Sequence, residues 1–272
     1  MSYEPVFFGF PLHLLALYFL IYSCLGWIME TCYCSLTERR FMIRGFLYGP
    51  VCPIYGVGVL MMICCFAPFQ SNPLIFYGMA TLCMSAWEYF VGWFLETTTH
   101  IKYWDYSMFR FNLHGRICLW VCLMWGLLAY LVIFWLHPLV SGLVLLVPLL
   151  VRQVLAAVLC AILLVDAGFT IRDLALMSGV LRRLNQAGDE LRIQVALGKS
   201  QLEAKLENVP DSLDEAAGSL KHKYDLLLST AERRTRRFLD NYTHMSSKHW
   251  SKPLSDVRAS ISRHRPRRRA RK

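Results

Sequence analysis

Apolar residues run almost unbroken through five stretches of the first 171 positions, then thin to a spaced stripe. A helix needs about 20 mostly apolar residues to cross the hydrocarbon of a bilayer. Segments 7–29, 47–67, 74–96, 116–136 and 153–171 meet that length and predict five membrane-spanning helices. A further apolar run, 138-PLVSGLVLLVPLLV-151, is bounded by prolines and followed by Arg152. It reads as a short interfacial or re-entrant helix, the alternative being fusion into one long tilted helix. The predicted fold is all-α and polytopic.

Beyond residue 171 the pattern changes. Leu174, Met177, Leu181, Leu184, Leu191, Val195 and Leu202 step by threes and fours or their multiples, the stripe of an amphipathic helix. The stretch 208-NVPDSLDE-215 stops it and starts another, with Ser212 and Glu215 at capping-box spacing. Leu213, Ala217, Leu220, Tyr224, Leu227, Ala231, Phe238 and Met245 form the second stripe. Residues 172–250 therefore predict a cytoplasmic helical hairpin, coiled but weakly so, because Gly188, Gly198 and Arg234 fall in its seams. Residues 251–272, ending 263-RHRPRRRARK-272, predict a basic disordered tail suited to anionic lipid. Nucleic-acid binding has no aromatic interleaving or recognisable fold behind it.

Charge sharpens this division. The formal net charge is +10, yet residues 1–171 hold seven basic and seven acidic side chains. The excess thus lies wholly in the last hundred residues. Loops 37–45 and 98–116 carry six of those seven basic residues, whereas 66–73 and 136–151 carry none. The positive-inside rule then puts those basic loops and the C-terminus in the cytoplasm and the N-terminus outside. The first span lacks the positive leading region of a cleaved signal peptide. The ten cysteines all precede the tail, and no second pair with histidines stands at metal-ligand spacing. They read as small packing residues, and no cofactor is expected in this chain.

An internal repeat runs through the apolar part. The string 26-GWIMET-31 returns as 92-GWFLET-97, sixty-six positions later. Each copy ends a span, passes through a loop with basic residues, and reaches a landing, 41-FMIRG-45 or 111-FNLHG-115. The second loop is four residues longer before its landing and carries 103-YWDYS-107. Matching Glu and Thr at the same offsets favour a duplicated helix–loop–helix hairpin over a chance pair of interfacial tryptophans. Trp27, Trp93 and Trp104 are the candidate interfacial anchors. Transporters built from repeats place their sites where the repeats meet.

Charged groups inside spans select the candidate site. An ionised side chain near the bilayer centre costs about 2.5–3.5 kcal/mol on insertion scales, so it faces a partner or a watery cavity. Glu30, Glu88, Glu96 and Asp166 are such acids, and Arg44 and Arg116 are the basic residues beside them. Glu88, Gly92 and Glu96 share one helix stripe, with Glu88 about 12 Å deeper than Glu96. Glu–Arg contacts between the two hairpins would keep Glu30, Glu96, Arg44 and Arg116 charged. The bland alternative is that those pairs only lock the hairpins together.

The second span begins oddly, as 43-IRGFLYGPVCPIYGVG-58. Pro50 and Pro53 fit its first turns, where a missing N–H costs least. Gly45, Gly49 and Gly56 allow close approach of another helix or a ligand to the backbone. The bare N–H groups there, with Arg44, form a corner that favours an anion. Tight packing alone is the competing explanation.

The residues Gly26, Trp27 and Glu30, the run 44-RGFLYGPVCPIYG-56, and 104-WDYSMFRFNLHGRI-117 resemble the bacterial family of CmpB-like permeases, ABC-transporter type IV, over roughly residues 10–175. This chain departs only in a longer path from the second motif to its landing. The resemblance implies a permease-like subunit in the cytoplasmic membrane, its substrate unassigned. It also implies a separate nucleotide-binding ATPase, because 198-GKS-200 has Ile193 where a phosphate loop needs glycine. Five spans are few for a complete transporter, which points to a homodimer as one arrangement. A membrane scaffold that recruits a partner through its cytoplasmic hairpin is the alternative function. A membrane enzyme is the weakest reading, since no nucleophile–base set or metal-ligand cluster accompanies the carboxylates.

Overall fold

The structure is a computed structural model and describes residues 5–204, 211–242, 245–247 and 249–264. The chain divides into two units: Met1–Thr98 with Lys102–Ile171, and Thr99–Ile101 with Arg172–Lys272. The architecture is all-α. Its only strands among the described residues are two-residue pairs, β1 (Val6–Phe7) with β2 (Phe10–Pro11) and β3 (Asn112–Leu113) with β4 (Ile117–Cys118).

In the first unit, α1 (Leu12–Thr37) and α2 (Pro53–Cys65) form the first hairpin, and α3 (Pro73–Thr99) and α4 (Leu119–Leu131) form the second. Both α2 and α4 are 13 residues long. Each is preceded by an extended, buried cysteine, Cys52 or Cys118. These N-caps stand sixty-six positions apart, the same offset as the two Gly-Trp motifs. The duplication thus reaches from the motif to the start of the returning helix.

Among the described residues, four helices are long and apolar enough to cross a membrane: Leu12–Thr37, Pro73–Thr99, Leu119–Leu146 and Leu149–Ile193. The expected second span is instead the short α2, about 20 Å long at 1.5 Å per residue against about 30 Å of hydrocarbon. Bent, non-helical chain leads into it. The Cys52 amide donates to the Ser23 carbonyl at 3.0 Å, far back along α1 from its Thr37 end. Such non-helical backbone at membrane depth survives only when protein buries and satisfies it.

The segment 138–151 does not form a separate interfacial helix. A π-turn at Val132–Leu136 carries α4 directly into α5 (His137–Leu146), making one helical rod. Pro138 sits in the first turn of α5, and the extended Val147 ends it before Pro148. Residues 149–151 already belong to α6 (Leu149–Ala204). The π-turn offsets the rod so that His137 lies against α1, its Nδ1 3.0 Å from the Tyr22 hydroxyl and its ring edge-on to Tyr18. Leu14, Tyr18, Met62, Phe76, Met84 and Ile133 belong to the core around these helices.

In the second unit, the later part of α6, α7 (Asp211–Asn241) and α8 (Ser251–His264) pack together. Residues 251–264 are thus a helix, not the start of a disordered tail. Leu254, Val257 and Ile261 recur at three- and four-residue spacing and are buried, which gives this basic segment an apolar stripe worth folding. The stripe on α6 is buried at Met177, Leu181 and Leu184, and that on α7 at Ala231 and Phe238. Thr235, not Arg234, occupies the α7 seam, its hydroxyl bonded 2.6 Å to the Ala231 carbonyl. The side chains of Val195, Leu202, Leu213 and Ala217, part of the predicted turn at 208–215, and tail residues 265–272 lie outside the described residues.

Candidate functional site

Both loops of the first unit fold back along the helix they leave, and that return builds the site. In the first hairpin the Arg44 amide donates to the Thr31 hydroxyl at 3.3 Å, and the Trp27 indole donates to the Arg44 carbonyl. Gly45 sits beside Trp27 with φ +134°, where an added Cβ would stand 3.2 Å from the indole. Deeper along α1, the Cys52 thiol lies 3.5 Å from a Glu30 oxygen. Arg44 approaches Cys34 at 2.9 Å through its Nε and acts electrostatically on Glu30.

The second hairpin makes a different return. Tyr106, from the loop, donates to Glu88 Oε1 at 3.2 Å, and Trp125 of α4 donates to Glu88 Oε2 at 2.7 Å. Glu88 is only 5% exposed, and both its oxygens are held. Burial first, and the Glu88 carboxylate second, raise the Tyr106 phenol above its ordinary pKa, which keeps it a hydrogen-bond donor.

Tyr55, in the first turn of α2, joins the two hairpins. Its ring stacks obliquely on Trp125 with centroids 5.2 Å apart, and it lies within electrostatic reach of both Glu30 and Glu88. Gly26 has no side chain because the Tyr55 ring occupies that space. Gly56 lies against Ser23 and the Phe19 carbonyl for the same reason. Trp87 of α3 fastens the assembly by donating to the Ile54 carbonyl at 3.0 Å. Carboxylates from both repeats therefore border one cluster of buried Cys52 and half-buried Tyr55, Tyr106 and Trp125.

The other predicted residues sort differently. Glu96 pairs with Arg116 at 2.8 Å, and Arg116 also donates to the Tyr89 hydroxyl at 3.1 Å. The pairing is within a hairpin, not between the two, because each loop folds onto its own helix. Gly92 makes room for Trp104 and Arg116, and the Trp104 indole donates to the Arg116 carbonyl at 3.0 Å. Trp27 and Trp104 thus hold loops, while Trp93 is 45% exposed. A pocket of about 10 Å³ opens beside Glu96, Arg116 and Trp104, room for about one water.

Asp166 of α6 stands apart from the Glu30–Glu88 cluster. It accepts the amides of Tyr48 at 2.8 Å and Gly49 at 2.7 Å, and the Thr170 hydroxyl at 3.3 Å. The anion-favouring corner is filled by the chain's own carboxylate. A Cβ on Gly49 would stand 3.0 Å from Asp166 Oδ2. Pro53 opens α2 as expected, but Pro50 lies outside it, in the bent, non-helical segment that Asp166 pins.

Cys52, Tyr55, Tyr106 and Trp125 are the site residues that sequence reasoning missed. Tyr55 and Tyr106 lay inside the quoted motifs, and their place there was the available signal. Cys52 lay in the same run as Tyr55, and Trp125 had no such signal.

Long apolar helices, and carboxylates satisfied only by other parts of the protein, define a multi-pass α-helical membrane protein. A family model described as Putative ABC-transporter type IV matches residues 17–171, over half of the chain, and the chain belongs to that family. No curated protein and no solved structure matches it.

Proposed function

We propose that the chain is the membrane subunit of an ABC-type transport system and that the Glu30–Tyr55–Glu88 cluster is its polar site. On this reading it sits in a bacterial cytoplasmic membrane with its N-terminus outside and C-terminus in the cytoplasm. A separate nucleotide-binding ATPase supplies the energy, and this chain carries no catalytic step or cofactor. One observation carries the proposal: a carboxylate from each repeat, Glu88 buried and Glu30 half-buried, lies within electrostatic reach of Tyr55, at the meeting point where repeat-built transporters place substrate. Buried acids at membrane depth are costly, and functional pathways are where they are retained.

The test uses native Cys52, 3.5 Å from Glu30. In native membranes, a membrane-impermeant maleimide should alkylate Cys52 when ATP is added and spare it without ATP, as located by peptide mass spectrometry. Protection of Cys52 under both conditions, with no ATPase retained on gentle solubilisation, would contradict the proposal.

A scaffold that recruits a partner through its second unit is the second reading. The observation in its favour is closure: both Glu88 oxygens are occupied, and the pocket beside Glu96 holds about one water.

A further inference from the structure

The two landings present matched apolar pairs to the outside. Phe41 and Phe111 are each 80% exposed, and Ile43 and Leu113 are each 54% exposed. In the first landing the residue between the pair holds the loop to α1, whereas in the second the exposed Asn112 braces the loop within itself. Met42 is buried, and its amide and carbonyl both bond to the Ser35 hydroxyl, at 3.0 and 3.3 Å. Asn112 donates to the Phe109 carbonyl at 2.8 Å and accepts the Gly115 amide at 3.1 Å. Two differently braced loops thus leave the same apolar pair exposed in each repeat.

Chance exposure of one phenylalanine would need no account, but the same pair recurs at the same place in both copies. Their position says what covers them. Helices α1 and α3 have 26 and 27 residues, about 39–40 Å of rise, longer than about 30 Å of hydrocarbon. Their last turns therefore reach the headgroup layer. Ser35, which holds Met42, and Glu96, which holds Arg116, lie in the closing turns of α1 and α3. Exposed Arg39, Arg40 and Arg110 flank the apolar pairs. Apolar side chains bordered by cations suit the boundary between acyl chains and anionic headgroups.

We propose that Phe41 with Ile43, and Phe111 with Leu113, are paired interfacial anchors that seat both repeat loops in anionic lipid. The anchors hold the long ends of α1 and α3 at a fixed depth, independently of what the chain transports.

The test places the photoreactive analogue p-benzoylphenylalanine at position 41 or 111 of the full chain. The protein is reconstituted in vesicles of phosphatidylcholine and phosphatidylglycerol and irradiated. Both variants should gain the mass of one lipid, with most of that gain lost when phosphatidylglycerol is left out. The same substitution at Ile43 and Leu113 repeats the measurement should a phenylalanine variant fail to insert. Absence of lipid adducts, adducts to protein alone, or a yield indifferent to phosphatidylglycerol would overturn the proposal.

Discussion

The two hairpins share a frame and differ in where each adds residues. From Gly45 to Cys52 the first copy runs four residues further than the second does from Gly115 to Cys118. The second copy adds its four before the landing, within a loop that carries Trp104 and Tyr106. These insertions cancel in length, so both returning helices start sixty-six positions apart. They do not cancel in chemistry. The first insertion exposes the Tyr48 and Gly49 amides, which Asp166 takes. The longer second loop brings Tyr106 to Glu88 and Trp104 to the Arg116 carbonyl. A duplicated scaffold has thus kept its helix geometry while assigning its loops to different jobs.

Three experiments act on that asymmetry. Asp166→Asn should affect the first copy most. An amide offers one oxygen where two amides now meet two, and charge-assisted bonds of this kind contribute about 1.5–3 kcal/mol. Hydrogen exchange at Tyr48 and Gly49 should quicken about tenfold or more, since 1.4 kcal/mol corresponds to a factor of ten. Unchanged exchange would mean that Asp166 does not hold the segment.

The tryptophans give a smaller effect and separate the copies. Trp27→Phe and Trp104→Phe each remove an indole bond to a loop carbonyl, a loss of about 0.5–1.5 kcal/mol. Trp93→Phe should leave stability within about 0.5 kcal/mol, as at other surface positions. The free energy of unfolding in mixed detergent micelles measures all three. A large effect at Trp93 would make it, and not Trp104, the working counterpart of Trp27.

Much of the frame was legible in the sequence, because apolar length and a repeated string survive without knowledge of neighbours. The membrane class, the two hairpins and the family follow from those signals. The course of the loops was not legible. Pro50 looked like a helix opener, since proline suits a first turn, but Asp166, more than a hundred positions away, holds a bent, non-helical segment at that point. The Glu–Arg pairing was legible as chemistry but not as geometry. Spacing alone cannot say that Arg116 turns back to Glu96 on its own helix. Trp125 reads as one apolar residue among many until Glu88 is seen beneath it. In the second unit, the many cations of 251–264 masked the Leu254, Val257 and Ile261 stripe.

The most direct test of convergence between the repeats is a double-mutant cycle on Glu30→Gln and Glu88→Gln. It is read as the free energy of unfolding during titration of mixed micelles with dodecyl sulfate. Glu30 acts electrostatically on Glu88, so the two substitutions should be coupled by about 0.5–3 kcal/mol. Additivity to within about 0.5 kcal/mol would place the two carboxylates in separate environments and contradict a shared cluster.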